Sequence, residues 1–220
     1  MTRRSHLTAG AVLLVGLTAL FWFSDLDLRV SSWAYQAVDP HWPLHDNFPW
    51  SLLKKWGQIP GLVLGFGSLG VLIASFHKDG PARWRQAALY VTLVFALGPG
   101  LLVNGFFKNM GRQRPYSIEA FGGSQTYTKP FVLGLWGHGD SFISGHASMA
   151  YLFLALAFLV RGRWRKPAFV AAIIFGLAMS VARVVQGDHF ASDVLLCGAV
   201  IYLLCAALLP VLRESPMEDL

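Results

Sequence analysis

Apolar residues in this chain gather into long unbroken runs, and six runs approach the length of a bilayer crossing: about Leu7 to Phe23, Ile59 to Phe76, Ala87 to Phe107, Gly145 to Val160, Pro167 to Val185 and Ala191 to Leu212. Roughly 20 apolar residues cross a bilayer core as an α-helix. The pattern therefore predicts an all-α fold, a six-transmembrane-helix bundle, with the first and fourth spans short and their boundaries soft. The middles of the six runs lack Asp, Glu, Lys and Arg. No internal repeat, low-complexity tract or interdomain linker interrupts them, so residues 1–220 are expected to form a single integral membrane domain.

The polar positions between the runs set the orientation. Arg3 and Arg4, then Lys78, Arg83 and Arg85, then Arg161, Arg163, Arg165 and Lys166, and finally Arg213 all fall on one side. Excess Lys and Arg mark the cytoplasmic side, which places both termini in the cytoplasm. The opposite side carries the long connections 25–58 and 108–144 and a tight turn around Gly187. In the first connection, Trp33, Tyr35, Trp42, Trp50 and Trp56 are interface-seeking aromatics. They predict a helix lying along the membrane surface, either as an anchor or as a contact for substrate.

Composition agrees with the pattern. The chain is 55% hydrophobic and 14% charged, with a mean hydropathy of +0.49, which argues against a soluble domain. The net charge of +6 is accounted for by the basic loops, so no nucleic-acid partner is implied. Cys197 and Cys205 share one apolar run and read as small packing residues. The opening Met1 to His6 segment admits a signal peptide, but no small-x-small cleavage site follows, and an uncleaved first span is expected.

Candidate chemistry sits in three patches, all on the non-cytoplasmic side. The first is Lys108-Asn-Met-Gly-Arg-Gln-Arg-Pro115, which supplies Lys108, Arg112 and Arg114 at the end of the third span. By itself such a cluster is also an ordinary headgroup contact. The second is Ser141-Phe-Ile-Ser-Gly-His146, where Ser144, Gly145 and His146 open the fourth span and free backbone N–H groups offer an anion site. Ser144 is equally a plain N-cap there, and His146 an interfacial histidine. The third is Arg183-Val-Val-Gln-Gly-Asp-His189-Phe-Ala-Ser-Asp193. His189 and Asp193 stand four apart at a helix start, so the carboxylate is expected to accept one imidazole N–H and leave the other ring nitrogen free to attack. An imidazole, a carboxylate and Arg183 at the edge of hydrocarbon are costly unless paired with each other or with a charged ligand.

Together the patches supply cations for the equatorial oxygens of a phosphoryl group, a histidine nucleophile and a second histidine to serve the leaving oxygen. The nearby carboxylates Asp188, Asp193, Asp140 and Glu119 do not suggest a metal site. No metal and no cofactor are expected.

At these residues the sequence resembles the type 2 phosphatidic acid phosphatase (PAP2) superfamily, whose signature runs Lys-x6-Arg-Pro, Ser-Gly-His, Arg-x5-His-x3-Asp. Ser144-Gly145-His146 fits the middle part, with Ile143 where proline is usual, and Arg183, His189 and Asp193 fit the last part at full spacing. The first part departs: five residues separate Lys108 from Arg114 instead of six. Either the span end is locally rewound, or Arg112 shares or replaces the role of Arg114. The resemblance implies that His189 attacks phosphorus to give a phosphohistidine, that Asp193 orients it, and that His146 protonates the leaving group and then activates water. Lys108, Arg114, Ser144, Gly145 and Arg183, with Arg112 as the alternative, would hold the phosphate oxygens.

It further implies a bacterial inner-membrane phosphatase with a periplasm-facing site and a lipid phosphate substrate, lipid A or its precursor being favoured. Phosphatidylglycerophosphate or undecaprenyl pyrophosphate hydrolysis and lipid phosphotransfer are the nearest alternatives. An intramembrane serine protease using Ser144 with His189, or a channel lined by the polar cluster, are readings from other classes. The oligomeric state is left open by the sequence.

Overall fold

A computed structural model describes residues 2–36, 42–77 and 81–212. Lys78 and Arg213, two of the charges used above for orientation, lie outside the described residues. Nine α-helices are described: α1 (Arg3–Trp22), α2 (Leu26–Ala34), α3 (Trp50–Trp56), α4 (Ile59–His77), α5 (Ala82–Phe95), α6 (Gly145–Tyr151), α7 (Phe153–Leu159), α8 (Arg165–Val185) and α9 (Ala191–Ala207). Among the described residues there is no strand, only an isolated bridge between Ile118 and Gln125.

Helix length alone does not confirm the expected count of six crossings. Four helical stretches are long and apolar enough to cross a membrane, Arg3–Trp22, Trp50–His77, Ala82–Ser117 and Gly162–Val185, while Gly145–Leu159 and Ala191–Ala207 are shorter. The short pair forms the centre of the bundle. In α6 every residue but His146 is buried, and α9 buries Val194, Leu196, Cys197, Ile201 and Cys205. By contrast α4 buries only Gly61 and Gly65 and exposes Val63, Phe66 and Ile73. Outward apolar side chains of this kind suit a lipid solvent, where close packing rather than water exclusion joins helices. Small residues make those joints. A Cβ at Gly176 of α8 would lie 2.2 Å from the Tyr151 ring, and one at Gly198 of α9 2.8 Å from it.

The third long stretch explains its own irregularity. Pro99 has no N–H to give, and its ring crowds the preceding turn. Past Phe95 the backbone runs as a π-helix over Ala96–Phe106, and the Asn104 side chain donates to the Pro99 carbonyl at 2.6 Å. A tight 3-10 turn, Phe107–Met110, follows, closed by Gly111 at φ +84°. The span end that carries Lys108 is thus locally rewound, one of the two accounts the shortened spacing had left open.

All three chemical patches arrive at one end of the bundle: the end of this stretch, the start of α6, and the turn from α8 to α9. The opposite end brings together the start of α1, the start of α8 and the end of α9, where Arg3 donates to the Ala207 carbonyl at 3.3 Å and Arg165 lies 3.0 Å from His6. The first connection folds onto the chemical end as α2, α3 and an aromatic cluster. Trp42 packs so closely on the positive-φ turn residue Gly187 that a Cβ there would stand 2.4 Å from its indole.

Candidate active site

His189 lies between α8 and α9, just ahead of the N-cap Phe190, and is 2% exposed. Its Nδ1 is 2.7 Å from the Ser141 carbonyl. A carbonyl only accepts, so Nδ1 carries the proton and Nε2 keeps its lone pair. The group that fixes the tautomer therefore differs from the expected one. Asp193 Oδ2 stands 3.7 Å from Nδ1, beyond hydrogen-bond reach. It accepts instead from Ser141 Oγ at 2.6 Å and from the Phe190 N–H at 2.8 Å, where the third residue of a helix can serve its free amides. Burial holds the His189 imidazole below the ordinary histidine range, against the opposing pull of the Asp193 carboxylate. Burial and hydrogen bonding together favour the neutral ring with a free Nε2.

Behind His189 sits a closed polar network. Arg112, 1% exposed, donates from Nε to the Thr128 carbonyl at 3.0 Å, from Nη2 to Asp27 at 2.7 Å, and from Nη1 to Ser192 Oγ at 2.7 Å and to Asp193. Its guanidinium also faces the Phe190 ring at 4.6 Å. Asp27 of α2 accepts in addition from the Ser192 N–H and Oγ at 2.8 and 2.6 Å and from the Tyr127 hydroxyl at 3.1 Å. Arg112 is thereby held away from the phosphate-binding position that the short first motif had left open to it. Asp27, Ser141 and Ser192 were not singled out by sequence. Asp27 is one of several acids in a connection, and only its burial reveals it.

In front of His189 the cations are differently placed. Arg183, 3% exposed, donates from Nη1 to Gln186 Oε1 at 2.7 Å and pairs through Nη2 with Asp188 at 2.6 Å, while its buried Nε finds no protein acceptor. Arg114 grips Asp140 with two bonds of 2.7 and 2.5 Å and reaches Asp188 at 3.2 Å. Burial disfavours the Asp140 carboxylate, but its pairing with Arg114 outweighs this and holds its carboxyl below the usual range. Lys108 has no ion pair among the described residues, and its Nζ lies 3.4 Å from where a Cβ would stand on Gly145. A larger residue at 145 would crowd it.

Ser144 is fully buried and caps α6, its Oγ accepting from the Ala147 N–H at 3.3 Å. The N-cap role named as its plain reading is the one the geometry displays. A carbonyl only accepts, so His146 donates from Nε2 to the Lys54 carbonyl at 3.1 Å, which leaves Nδ1 unprotonated in the neutral ring. Among the described residues no three His, Cys, Asp or Glu side chains form a group that could hold a metal ion.

A helical bundle with four stretches long and apolar enough to cross a membrane brings a buried histidine, an orphan guanidinium donor and two further cations together at one end. The chain belongs to the PAP2 superfamily, which it matches over residues 88–216, a stretch holding every candidate residue above except Asp27. It is 37% identical over 124 residues to the lipid A 4'-phosphatase of Francisella tularensis subsp. novicida, covering 55% of this chain and 56% of that one. It is 34% identical over 137 residues to the lipid A 1-phosphatase of Rhizobium etli, covering 57% and 53%. The matches span about half the length of these relatives. The fold is that of the crystal structure of a transmembrane PAP2 type phosphatidylglycerolphosphate phosphatase from Bacillus subtilis, with a TM-score of 0.59 and 19% identity over 97% of this chain and 98% of that one.

Proposed function

We propose that this protein is an integral membrane phosphatase that hydrolyses the phosphate monoester of a lipid headgroup through a phosphohistidine on His189, with lipid A or its precursor as the substrate. The observation that carries the reading is the unprotonated Nε2 of His189, fixed by the Nδ1 bond to the Ser141 carbonyl, beside an Arg183 Nε that lacks a protein acceptor. The names of the two relatives above favour lipid A over phosphatidylglycerophosphate.

In the first step Nε2 attacks phosphorus and the bond to the lipid oxygen breaks. That oxygen leaves with the electron pair and takes a proton from Nδ1 of a protonated His146. Arg183, Arg114 and Lys108 stabilise the charge on the three equatorial oxygens. In the second step His146 removes a proton from water, the hydroxide oxygen bonds to phosphorus, and the N–P bond breaks to return neutral His189 and release phosphate. Asp193 favours the transiently positive phosphohistidine ring from 3.7 Å away. Arg114, whose guanidinium reaches the same Asp188 as Arg183, takes the first-motif role in this scheme. We place the protein in the bacterial inner membrane with six crossings, the two short helices buried at its centre, both termini cytoplasmic and the site facing the periplasm.

The test is phosphate release by purified protein from lipid A, phosphatidylglycerophosphate, phosphatidate and undecaprenyl pyrophosphate, with EDTA present and His189→Ala as the control. The expected result is release from lipid A that survives EDTA and disappears in the variant. Turnover by His189→Ala would overturn the nucleophile; loss in EDTA would overturn a scheme that runs on cations alone.

A further inference from the structure

His146 opens α6 and Arg183 stands in the last turn of α8, and the proposed reaction needs both at one phosphate. An unbroken chain of hydrogen bonds joins them by way of the first connection. Arg183 Nη1 donates to Gln186 Oε1 at 2.7 Å. Gln186, 0% exposed, is tied to His45 twice: its Nε2 donates to the His45 carbonyl at 3.1 Å, and its own carbonyl lies 2.9 Å from His45 Nδ1.

The partners fix the state of His45. A carbonyl only accepts, so Nδ1 carries the proton and Nε2 keeps a lone pair. That lone pair meets Lys54 Nζ at 2.5 Å, and an ammonium only donates. The Asp46 carboxylate, 3.9 Å from the same nitrogen, is beyond hydrogen-bond reach. The main chain of Lys54 completes the path, its carbonyl accepting from His146 Nε2 at 3.1 Å. Donors and acceptors match at every link.

Packing explains what the chain adds. α3, which carries Lys54, buries none of its residues, and α4 beyond it buries only Gly61 and Gly65. The two meet the bundle through glycines: a Cβ at Gly57 would stand 2.0 Å from Met179 Cε, and one at Gly61 2.6 Å from the Met149 carbonyl oxygen. Small residues set how closely helices approach. Rotation and height need directional bonds. We propose that Gln186, His45 and Lys54 are positioning residues of the phosphatase reaction, fixing the Lys54 carbonyl, and through it the His146 ring, at a set distance from the Arg183 guanidinium. The assignment rests on the roles given above to His146 and Arg183.

The test compares purified full-length wild type, Lys54→Met, Lys54→Arg, His45→Phe and Gln186→Met on lipid A and on 4-nitrophenyl phosphate. The alcohol oxygen of a lipid phosphate needs a proton from His146 to leave, whereas nitrophenolate departs as a stable anion. Lys54→Met should lower kcat/KM for lipid A by about 10–100-fold, the scale of a lost supporting partner, and for the aryl ester by no more than about threefold, because that leaving group needs little protonation. His45→Phe should match it, and Lys54→Arg, which restores a donor to His45 Nε2, should recover most of the loss. Gln186→Met also frees Arg183 and should lower both esters, with the greater loss again on lipid A.

Equal losses on the two esters in every variant would reduce the chain to a latch that only stabilises the fold, and the proposal would fall. Histidine 15N NMR in detergent, at a pH where the His146 ring is neutral, gives a readout that needs no turnover. The ring proton should sit on Nε2 in the wild type and divide between the two nitrogens in Lys54→Met. A tautomer unmoved in Lys54→Met, His45→Phe and Gln186→Met would overturn the positioning role whatever the rates. Phosphate release by His189→Ala, with the tautomer shift present, would strike the phosphohistidine mechanism and uphold the chain.

Discussion

Arg112 and Arg183 are both almost fully buried arginines within a few residues' reach of His189, yet they have opposite characters. Arg112 is bonded at Nε, Nη1 and Nη2 to Thr128, Ser192, Asp193 and Asp27, and every one of its polar groups has a partner. Arg183 is held on one side only, by Gln186 and Asp188, and keeps a buried Nε without an acceptor. The same side chain thus serves as framework around Asp193 in one place and, in the proposed scheme, as ligand donor in the other. The difference lies in what remains unsatisfied once the protein has folded. Buried polar groups are nearly always paired in native proteins, so the orphan Nε of Arg183 supports the face proposed for phosphate.

Breaking the rear network should give the largest effect. Arg112→Met leaves Asp27 and Asp193 buried without their cation and is expected to cost about 3–5 kcal/mol of stability, read as a lowered denaturation midpoint in detergent. Arg112→Lys should not rescue it, because a point charge cannot reach both carboxylates and Thr128 together. Arg183→Ala should weigh more on catalysis, lowering kcat/KM by about 10²–10³-fold, as loss of one preorganised charge-stabilising donor does elsewhere, with a smaller loss of stability than Arg112→Met because Arg114 still reaches the Asp188 carboxylate. If both variants lost stability and activity in the same proportion, the division into framework and ligand donor would collapse.

Asp193→Asn sharpens the boundary between the two regions. Were the carboxylate the keeper of the His189 tautomer, its loss would be ruinous; with the Ser141 carbonyl in that role, a decrease of about 10–100-fold in kcat is expected, the usual scale for a supporting partner one step removed. Smaller still is Asp140→Asn. Asp140 has a side chain 52% exposed, and an accessible ion pair of this kind is worth at most about 1 kcal/mol, which predicts no more than about fivefold in kcat/KM. The last test is pH. In the proposed scheme His189 must be neutral to attack, and burial keeps its folded pKa below the ordinary value. The acid limb of kcat/KM assigned to the nucleophile should therefore fall below 6.5, the value of a free histidine. A limb at or above that value would mean the ring is not desolvated as described.

Much of the arrangement was legible in the residues. Long apolar runs fixed where the helices fall, because burying backbone in hydrocarbon leaves the α-helix as the natural choice, and the charges between the runs put Lys108, His146, Arg183 and His189 at one end. The exceptions have physical causes. Ala191 to Leu212 overstated a helix that ends at Ala207, since an apolar sequence does not say where the chain turns into 3-10 geometry. Arg112 and Arg114 could not be ranked by spacing, because Pro99 and Gly111 alter the winding and direction of the backbone between span and loop. Asp27 was invisible for a different reason: its partners are 85 and 165 residues away in the chain, and no local pattern marks a carboxylate that will be buried by a distant arginine.

The bond from His189 Nδ1 to a main-chain carbonyl has a genetic consequence. Every amino acid carries that oxygen, so no missense change at position 141 can delete it, although changes there can remove the Ser141 hydroxyl that steadies Asp193. The proton position on His189 is encoded in the path of the loop from Arg112 to Ser144 and not in any one codon. Random mutagenesis screened for lost activity should therefore strike the cations and the rear network readily, and should reach the tautomer of His189 only through substitutions that bend the chain.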